Sequence, residues 1–246
     1  MRVLVCIPTY QEAENIATIL RRVRASVPSA DILVIDDGSP DGTADLAQAL
    51  GDELGQIDVL RRAKKSGLGN SYRAGFAIGL ERGFDAMVEI DADLSHDPAA
   101  LPSLLHAVED GADLAIGSRY VPGGHIPEWS WHRKALSRWG NRYAGAVLGV
   151  GVRDTTAGYR VYRADMLRVM DLDTVRADGY GFQVEMAYKV ERAGGILAEV
   201  PIEFHDRTVG QSKMSARIVV EALALVTWWG LSGRWRARRK RPLVPV

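Results

Sequence analysis

Ala86-Met87-Val88-Glu89-Ile90-Asp91-Ala92-Asp93 is the stretch on which the fold turns. A short, mostly apolar run ends in two carboxylates, and Pro98 opens a helix-like segment soon after. Such a run, about 4–8 residues long and bounded by turn signals, fits a strand buried on both faces. The same form recurs upstream at residues 2–7, 32–35 and 57–60. Between these strands, residues 12–25, 41–54 and 68–82 read as helices, the first with Ile16, Ile19, Leu20 and Val23 at helical spacing. Downstream, residues 98–109 continue as a helix and residues 114–117 as a fifth strand. Buried strands alternating with helices predict an α/β fold, a mostly parallel central sheet with helices on both faces. In such sheets ligands bind beyond the carboxyl ends of the strands, which is where Asp91 and Asp93 fall.

The order changes after Arg119. Residues 121–127 are rich in Gly and Pro and read as a loop, and residues 129–148 read as a helix. On it, Lys134, Arg138 and Arg142 form one stripe, while Leu136, Trp139, Tyr143 and Val147 fall on another face. A strand over 159–162, a helix over 182–192, a strand over 196–202 and a polar loop over 205–212 follow. The apolar stretch 218–231 is shorter than the ~20 residues of a spanning helix, and Glu221 interrupts it. With no repeat or low-complexity linker, residues 1–213 read as one domain and residues 214–246 as a C-terminal amphipathic appendage.

Composition narrows the class. Of 246 residues, 47% are hydrophobic and 25% charged, as in soluble globular proteins, which argues against disorder, a fibre or a multi-span membrane protein. Basic and acidic residues balance at 31 each, but six of the basic ones lie between Arg234 and Arg241. The remainder carries 25 basic against 31 acidic residues, so a polyanion-binding surface is confined to the tail. Cys6 is the single cysteine and cannot form an internal disulfide, so a reducing compartment is expected. Residues 1–7 are too short for a secretory apolar core, so export is not expected.

Several constellations carry chemistry. On an extended chain, Asp91 and Asp93 point to one side, where a hard divalent cation would relieve their repulsion; the alternative is one capping acid and one solvated acid. Asp36-Asp37-Gly38-Ser39 suits hydrogen bonds to a ribose or base edge, or else an Asx turn before a helix capped by Asp41. Pro8-Thr9-Tyr10-Gln11-Glu12 reads as a helix start, Thr9 near the cap and Glu12 its capping-box partner, with Tyr10 and Glu12 turned to a ligand. Lys64-Lys65-Ser66-Gly67-Leu68-Gly69 precedes a helix and is neither a P-loop nor a dinucleotide fingerprint. Zinc-protease, zinc-ribbon and α/β-hydrolase motifs are absent from the sequence. Arg119, Arg133, Arg160, Arg207 and Lys213 lie in or beside loops; each alone reads as a surface cation, and together they suit phosphates. His96 and His205 read as ordinary polar residues.

In chain order, Pro8 to Glu12, Ile35 to Thr43, Lys65 to Gly69, Asp91 to His96, Gly117 to Tyr120 and Arg207 to Lys213 closely resemble the polyprenol-phosphate (dolichol-phosphate) mannose synthases, a branch of the family 2 inverting glycosyltransferases. The likeness covers residues 2 to about 213, and its most branch-specific parts are the Asp91 to His96 motif and the late Arg207 to Lys213 stretch. It implies a Rossmann-like GT-A fold. Pro8, Tyr10, Glu12, Ile35 and Asp37 match positions around the nucleoside, and Asp91, Ala92 and Asp93 positions at the metal and diphosphate. Ser95 stands where some relatives place a glutamine near the metal. Arg119, Arg207 and Lys213 match cations near the diphosphate, and Arg119, Arg133 and Ser137 the acceptor-phosphate positions. Gln11 replaces the commoner asparagine, and Ala157 stands where serine is commoner.

The resemblance implies GDP-mannose as donor, a polyprenyl or dolichyl phosphate as acceptor and Mg²⁺ or Mn²⁺ as cofactor. An ionised acceptor phosphate is already a nucleophile, consistent with the lack of an obvious catalytic histidine. Residues 129–148 with Trp129, Trp131 and Trp139, and the tail with Trp228, Trp229, Trp235 and its basic run, suit a peripheral contact on the cytoplasmic face of a membrane, with or without a separate anchoring protein. The alternative is that the tryptophans fill the core and the tail is solvated; the two readings stand level for the helix, while the tail favours the membrane. UDP-glucose is the rival donor. A nucleotidyltransferase would need a Gly-rich opening with an early arginine, which the first strand end lacks. Nucleic-acid binding through the tail is the rival of another class; the acidic remainder argues against it, and no nucleic-acid partner is expected.

Overall fold

The computed structural model describes residues 1–206 and 216–233. The chain runs β1 (Val3–Thr9), α1 (Ile16–Ser26), β2 (Asp31–Asp36), α2 (Thr43–Leu54), β3 (Ile57–Arg61), α3 (Leu68–Glu81), β4 (Ala86–Glu89), α4 (Leu101–Glu109), β5 (Leu114–Ser118), α5 (Trp131–Leu148), β6 (Arg160–Arg163), α6 (Ala164–Met170), α7 (Gly179–Arg192), β7 (Leu197–Pro201) and α8 (Ala216–Gly233). The strands form one sheet in the order β3-β2-β1-β4-β6-β5-β7. All neighbours are parallel except β6, which lies antiparallel between β4 and β5. The sheet is thus the mostly parallel α/β sheet that the alternation predicts.

Period-two alternation sorts the strand residues into two cores. Val3, Val5, Ile7, Ile32, Val34 and Val88 face one layer, where they meet Ile16, Ile19, Leu20 and Val23 of α1 and Leu101, Leu104 and Val108 of α4. Leu4, Cys6, Leu33, Ile35 and Met87 face the other, against Tyr72 and Phe76 of α3 and residues of α5, α6, α7 and α8. Strand order reverses beside β1, where β2 leaves on one side and β4 on the other. Such a switch point opens a crevice at the carboxyl ends of the strands, and it places the ends of β1, β2 and β4 around one cleft.

Local details differ from the sequence expectations at helix starts. No capping box opens α1: its N-cap is Asn15, and Thr9 instead donates to Asp36 Oδ2 at 3.0 Å. Gly42, at φ +83°, rather than Asp41 caps α2; only glycine takes this conformation without cost. Asp41 binds just outside the helix, accepting from the Thr43 hydroxyl at 2.6 Å and from the Ala13 amide at 3.2 Å. The seven-residue α6 was not anticipated. In the apolar C-terminal stretch, α8 packs against α5 and α7, with Val226 buried and Trp229 against the same core. A Cβ at Gly230 would come within 2.3 Å of a Val147 methyl carbon, so α5 and α8 touch almost backbone to side chain. Among the described residues no helix is long and apolar enough to cross a membrane.

Candidate active site

The cleft is assembled from strand ends upward. At the end of β2, Asp36 turns inward and closes an Asx turn, accepting from the Gly38 and Ser39 amides at 3.1 and 2.9 Å. It is a structural acid. Asp37, its neighbour, pairs with Arg62 at 2.9 Å and accepts from the Ser71 hydroxyl at 3.1 Å. The loop after β1 is stitched to this turn by the Gln11 amide on Ser39 Oγ and the Glu12 amide on Thr43 Oγ1, each at 3.0 Å. Gln11 sits at φ +60°, a left-handed conformation in which asparagine is at less disadvantage. Tyr10 is half-buried, and the Lys65 ammonium lies 4.2 Å from its ring centre, so the Lys64 to Gly69 loop closes one side of the cleft. Pro8 and Glu12 stay partly exposed in the same segment. Ile35 does not: its side chain is fully buried in the core, and a Cβ at Gly75 would stand 2.7 Å from its Cδ1.

The two acids after β4 meet the cleft by a different geometry from the one their spacing suggests. The strand stops at Glu89, and Ala92 and Asp93 lie in a turn, not on an extended chain. The Ser95 amide donates to Asp93 Oδ1 at 3.0 Å, and Leu94 takes a left-handed φ of +63°. Asp93, Ala92 and Ser95 are buried while Asp91 is partly exposed. Tyr72 of α3 donates its phenol to Asp91 Oδ1 at 3.1 Å. Gly158 approaches from across the sheet: a Cβ there would be 3.8 Å from Asp91 Oδ2.

Behind Asp91 lies a buried polar bed. Glu89 is fully buried, and burial pushes its carboxyl up to about 7, although the nearby Arg160 charge works against that rise. Arg160 corrects the sequence expectation of a surface cation. It is fully buried, donating to the carbonyls of Ala157, Thr155 and Gln183 at 2.7 Å each. Tyr72 is held protonated, first by burial and then by the charges of Asp91 and Glu89.

The third side of the cleft holds Arg119 and Arg133, each with a carboxylate partner. Arg119, just beyond β5, grips Asp154 through Nε and Nη2, both at 2.7 Å, and reaches Thr156 Oγ1 at 2.8 Å. Asp154 is itself cradled, because Glu199 of β7 accepts from the Arg153 and Asp154 amides. Arg133 of α5 lies 3.2 Å from Asp206 and 3.9 Å from the Trp129 ring centre, and Trp129 donates to the same Asp206 at 2.9 Å. Ser137 accepts from the Tyr120 phenol at 2.7 Å. Asn141 joins α5 to this loop, accepting from the Thr155 amide and hydroxyl at 2.7 and 2.9 Å. Bridges of His96 to Phe204 and of His205 to Ser95 bring the chain before residue 207 alongside the acidic turn. Arg207 and Lys213 lie outside the described residues.

Sequence reasoning missed Tyr72, Arg62, Asn141, Glu199 and Asp206. Only Arg62, a base directly after a strand end, left a signal there. Among the described residues, no group of three His, Cys, Asp or Glu side chains is placed to hold a metal ion. Mg²⁺ and its like need only one or two carboxylates when substrate phosphates complete the shell. The hard oxygens of Asp91 and Asp93 fit such an ion.

Residues 4–170 match the model of glycosyl transferase family 2. The chain is 52% identical over 241 residues to an undecaprenyl-phosphate mannosyltransferase of Micrococcus luteus, covering 98% of this chain and 99% of that one. It is 50% identical over 238 residues to a polyprenol monophosphomannose synthase of Mycolicibacterium smegmatis, covering 95% and 88%. Glucosyl-3-phosphoglycerate synthase from Mycobacterium tuberculosis, solved with Mn²⁺ and UDP-glucose, shares the fold at a TM-score of 0.66 and 19% identity, over 94% of this chain and 79% of that one. An α/β sheet with its acids at the switch point, matched by the family model over most of its strands, is the catalytic domain of a glycosyltransferase, and the chain belongs to glycosyl transferase family 2.

Proposed function

We propose that the protein transfers mannose from GDP-mannose to a polyprenyl monophosphate, with inversion at the anomeric carbon. The observation that carries this reading is the Asp91–Asp93 turn at the switch point, with Asp37 and Tyr10 on one side and Arg119 and Arg133 on the other. Relatives of near-full length named for mannosyl transfer to polyprenyl phosphates support the acceptor and the sugar.

In this reading Pro8, Tyr10, Glu12 and Asp37 receive the nucleoside, while Ile35, whose side chain faces the core, contributes backbone. Asp91, Ala92 and Asp93 face the diphosphate, with Ser95 fixing the turn through its amide. A Mg²⁺ or Mn²⁺ held by Asp91 and Asp93 would supply charge neutralisation for the departing nucleoside diphosphate. The acceptor phosphate has a second pKa near ~6, is largely dianionic at neutral pH and needs no general base. The chain's own task is to bring two anions together. Arg133 can exchange its 3.2 Å contact with Asp206 for a phosphate, and Ser137 offers a hydroxyl beside it. Arg119, already bonded to Asp154, holds the floor and adds its field. Arg207 and Lys213 are proposed to close on the diphosphate.

Membrane contact follows from the acceptor. Trp131 is 81% exposed and Trp228 67%, and Leu136, Trp139 and Leu231 are exposed with them on α5 and α8. We assign these helices and the basic tail to a peripheral contact on the cytoplasmic face of a membrane. The deciding experiment offers radiolabelled GDP-mannose and UDP-glucose separately with a short polyprenyl phosphate, with and without EDTA. The expected result is label in lipid from GDP-mannose alone, lost in EDTA. Transfer from UDP-glucose instead overturns the donor, and transfer from neither overturns the function.

A further inference from the structure

We infer that Tyr72 is a positioning residue for Asp91: its phenol fixes one oxygen of that carboxylate, so that the cation and the diphosphate meet a side chain already oriented. The inference rests on the reading of the Asp91–Asp93 turn as the cation site.

Three observations carry it. The Tyr72 phenol donates to Asp91 Oδ1 at 3.1 Å from a ring that is fully buried. That ring is held between two others, Phe76 of α3 at 6.0 Å and Phe182 of α7 at 6.1 Å, the second nearly parallel at 9°. The turn of α3 that bears it is clamped in its own right, because the Gly69 amide donates to Asp178 Oδ1 at 2.7 Å. A phenol so confined has one orientation to offer. Aspartate, by contrast, has a broad torsion at its carboxyl end, so a fixed donor on one oxygen narrows the orientations open to it.

The adjacent residue makes the logic specific. Ser71 donates to Asp37 at 3.1 Å, so consecutive side chains of α3 reach the acid after β2 and the acid after β4. One helix thus sets the spacing between the nucleoside side and the cation side of the cleft. Carboxylates that bind metals depend on such outer partners, and losing one typically costs about 10–100-fold in metal affinity.

The test compares the full-length wild type with Tyr72→Phe, which keeps the stacked ring and deletes only the hydroxyl. Mn²⁺ binding is measured by electron paramagnetic resonance with GDP present and acceptor absent; GDP affinity without metal and the melting temperature are recorded alongside. The expected result is an about 10–100-fold weaker Mn²⁺ affinity in Tyr72→Phe, with metal-free GDP affinity unchanged. The Mn²⁺ concentration for half-maximal turnover should rise by the same factor, and turnover should recover at saturating Mn²⁺. Ser71→Ala, which removes the neighbouring hydroxyl from Asp37, should keep wild-type Mn²⁺ affinity. Equal Mn²⁺ affinity in Tyr72→Phe and wild type overturns the inference, and so does an equal loss in Ser71→Ala, which would mark general loosening of α3. If wild type with GDP takes up no Mn²⁺, the cation site itself fails and the inference falls with it.

Discussion

Asp154 and Arg119 are both buried, and each offsets much of the cost of burying the other. Burial alone would raise the Asp154 carboxyl; the Arg119 charge and its hydrogen bonds outweigh that, and the carboxyl ends below its ordinary value. Removing one partner of a buried pair strands the other charge, at a cost of about 3–5 kcal/mol. Asp154→Asn should therefore lower stability by that order in urea unfolding, while the distant Arg21–Glu53 pair, half exposed, should be close to neutral when broken. The pH dependence has a definite sign. A carboxyl whose folded pKa lies below its unfolded value gives its full stabilisation above about pH 4 and loses it as pH falls through the lower, folded value. Acid unfolding of the wild type should include this loss, and Asp154→Asn should lack it. A variant with wild-type urea midpoint and wild-type acid profile would mean that Arg119 has another adequate counter-charge.

At the scale of elements, α5 has two working faces. Its inner face carries Asn141, Ala144 and Leu148 into the protein and Ser137 to Tyr120, while Trp131, Leu136, Arg138, Trp139 and Arg142 face outward. Large aromatics and cations on one exposed face suit the headgroup level of an anionic bilayer. Trp131→Ala combined with Trp139→Ala should weaken sedimentation with anionic liposomes several-fold and leave turnover on a short, water-soluble acceptor intact. Undiminished sedimentation would move the contact to α8 or to residues 234–246. The spacing of basic and apolar residues made this helix legible. It did not reveal that Tyr143 and Val147 pack on α8 while Leu136 and Trp139 remain outside, because that division depends on a partner some eighty positions away. The alternating first half was legible for the opposite reason: each strand and helix there carries its own periodicity. β6 shows the limit, since nothing in four residues announces an antiparallel insertion between β4 and β5. Arg160 shows another, its burial being made possible by carbonyls at Thr155, Ala157 and Gln183 that only the fold brings together. The acids at 91 and 93 were legible as a pair, but the turn that orients them was not, because the Ser95 amide and the Tyr72 phenol belong to no motif.

Across the whole molecule, the cleft joins two groups of elements. β1, β2, α3 and β4 present the acids and the Tyr10–Lys65 wall; β5, α5, residues 153–158 and residues 203–206 present the paired cations. Gly158 against Asp91, and residues 95 and 96 against 204 and 205, are where the groups meet. A donor seated across that seam should stabilise the fold by linkage, since a ligand that binds only the native state adds RT ln(1 + [L]/Kd), about 2.7 kcal/mol at 100 times Kd. GDP with Mn²⁺ should therefore raise the melting temperature, and Mn²⁺ should add to the shift produced by GDP alone. The Asp93 carboxylate closes a turn and belongs to neither hydrophobic core, so Asp93→Ala should fold and should respond to GDP. It should lose the increment due to Mn²⁺, and its turnover should be nearly abolished. The comparison separates two causes of inactivity that an assay alone confuses. A variant inactive because its turn has collapsed would also lose the response to GDP, whereas one inactive because a cation ligand is missing would lose only the response to Mn²⁺. If Asp93→Ala retained the full Mn²⁺ increment, the cation would have to be held elsewhere, and the charge at the sheet's switch point would serve the nucleotide without it.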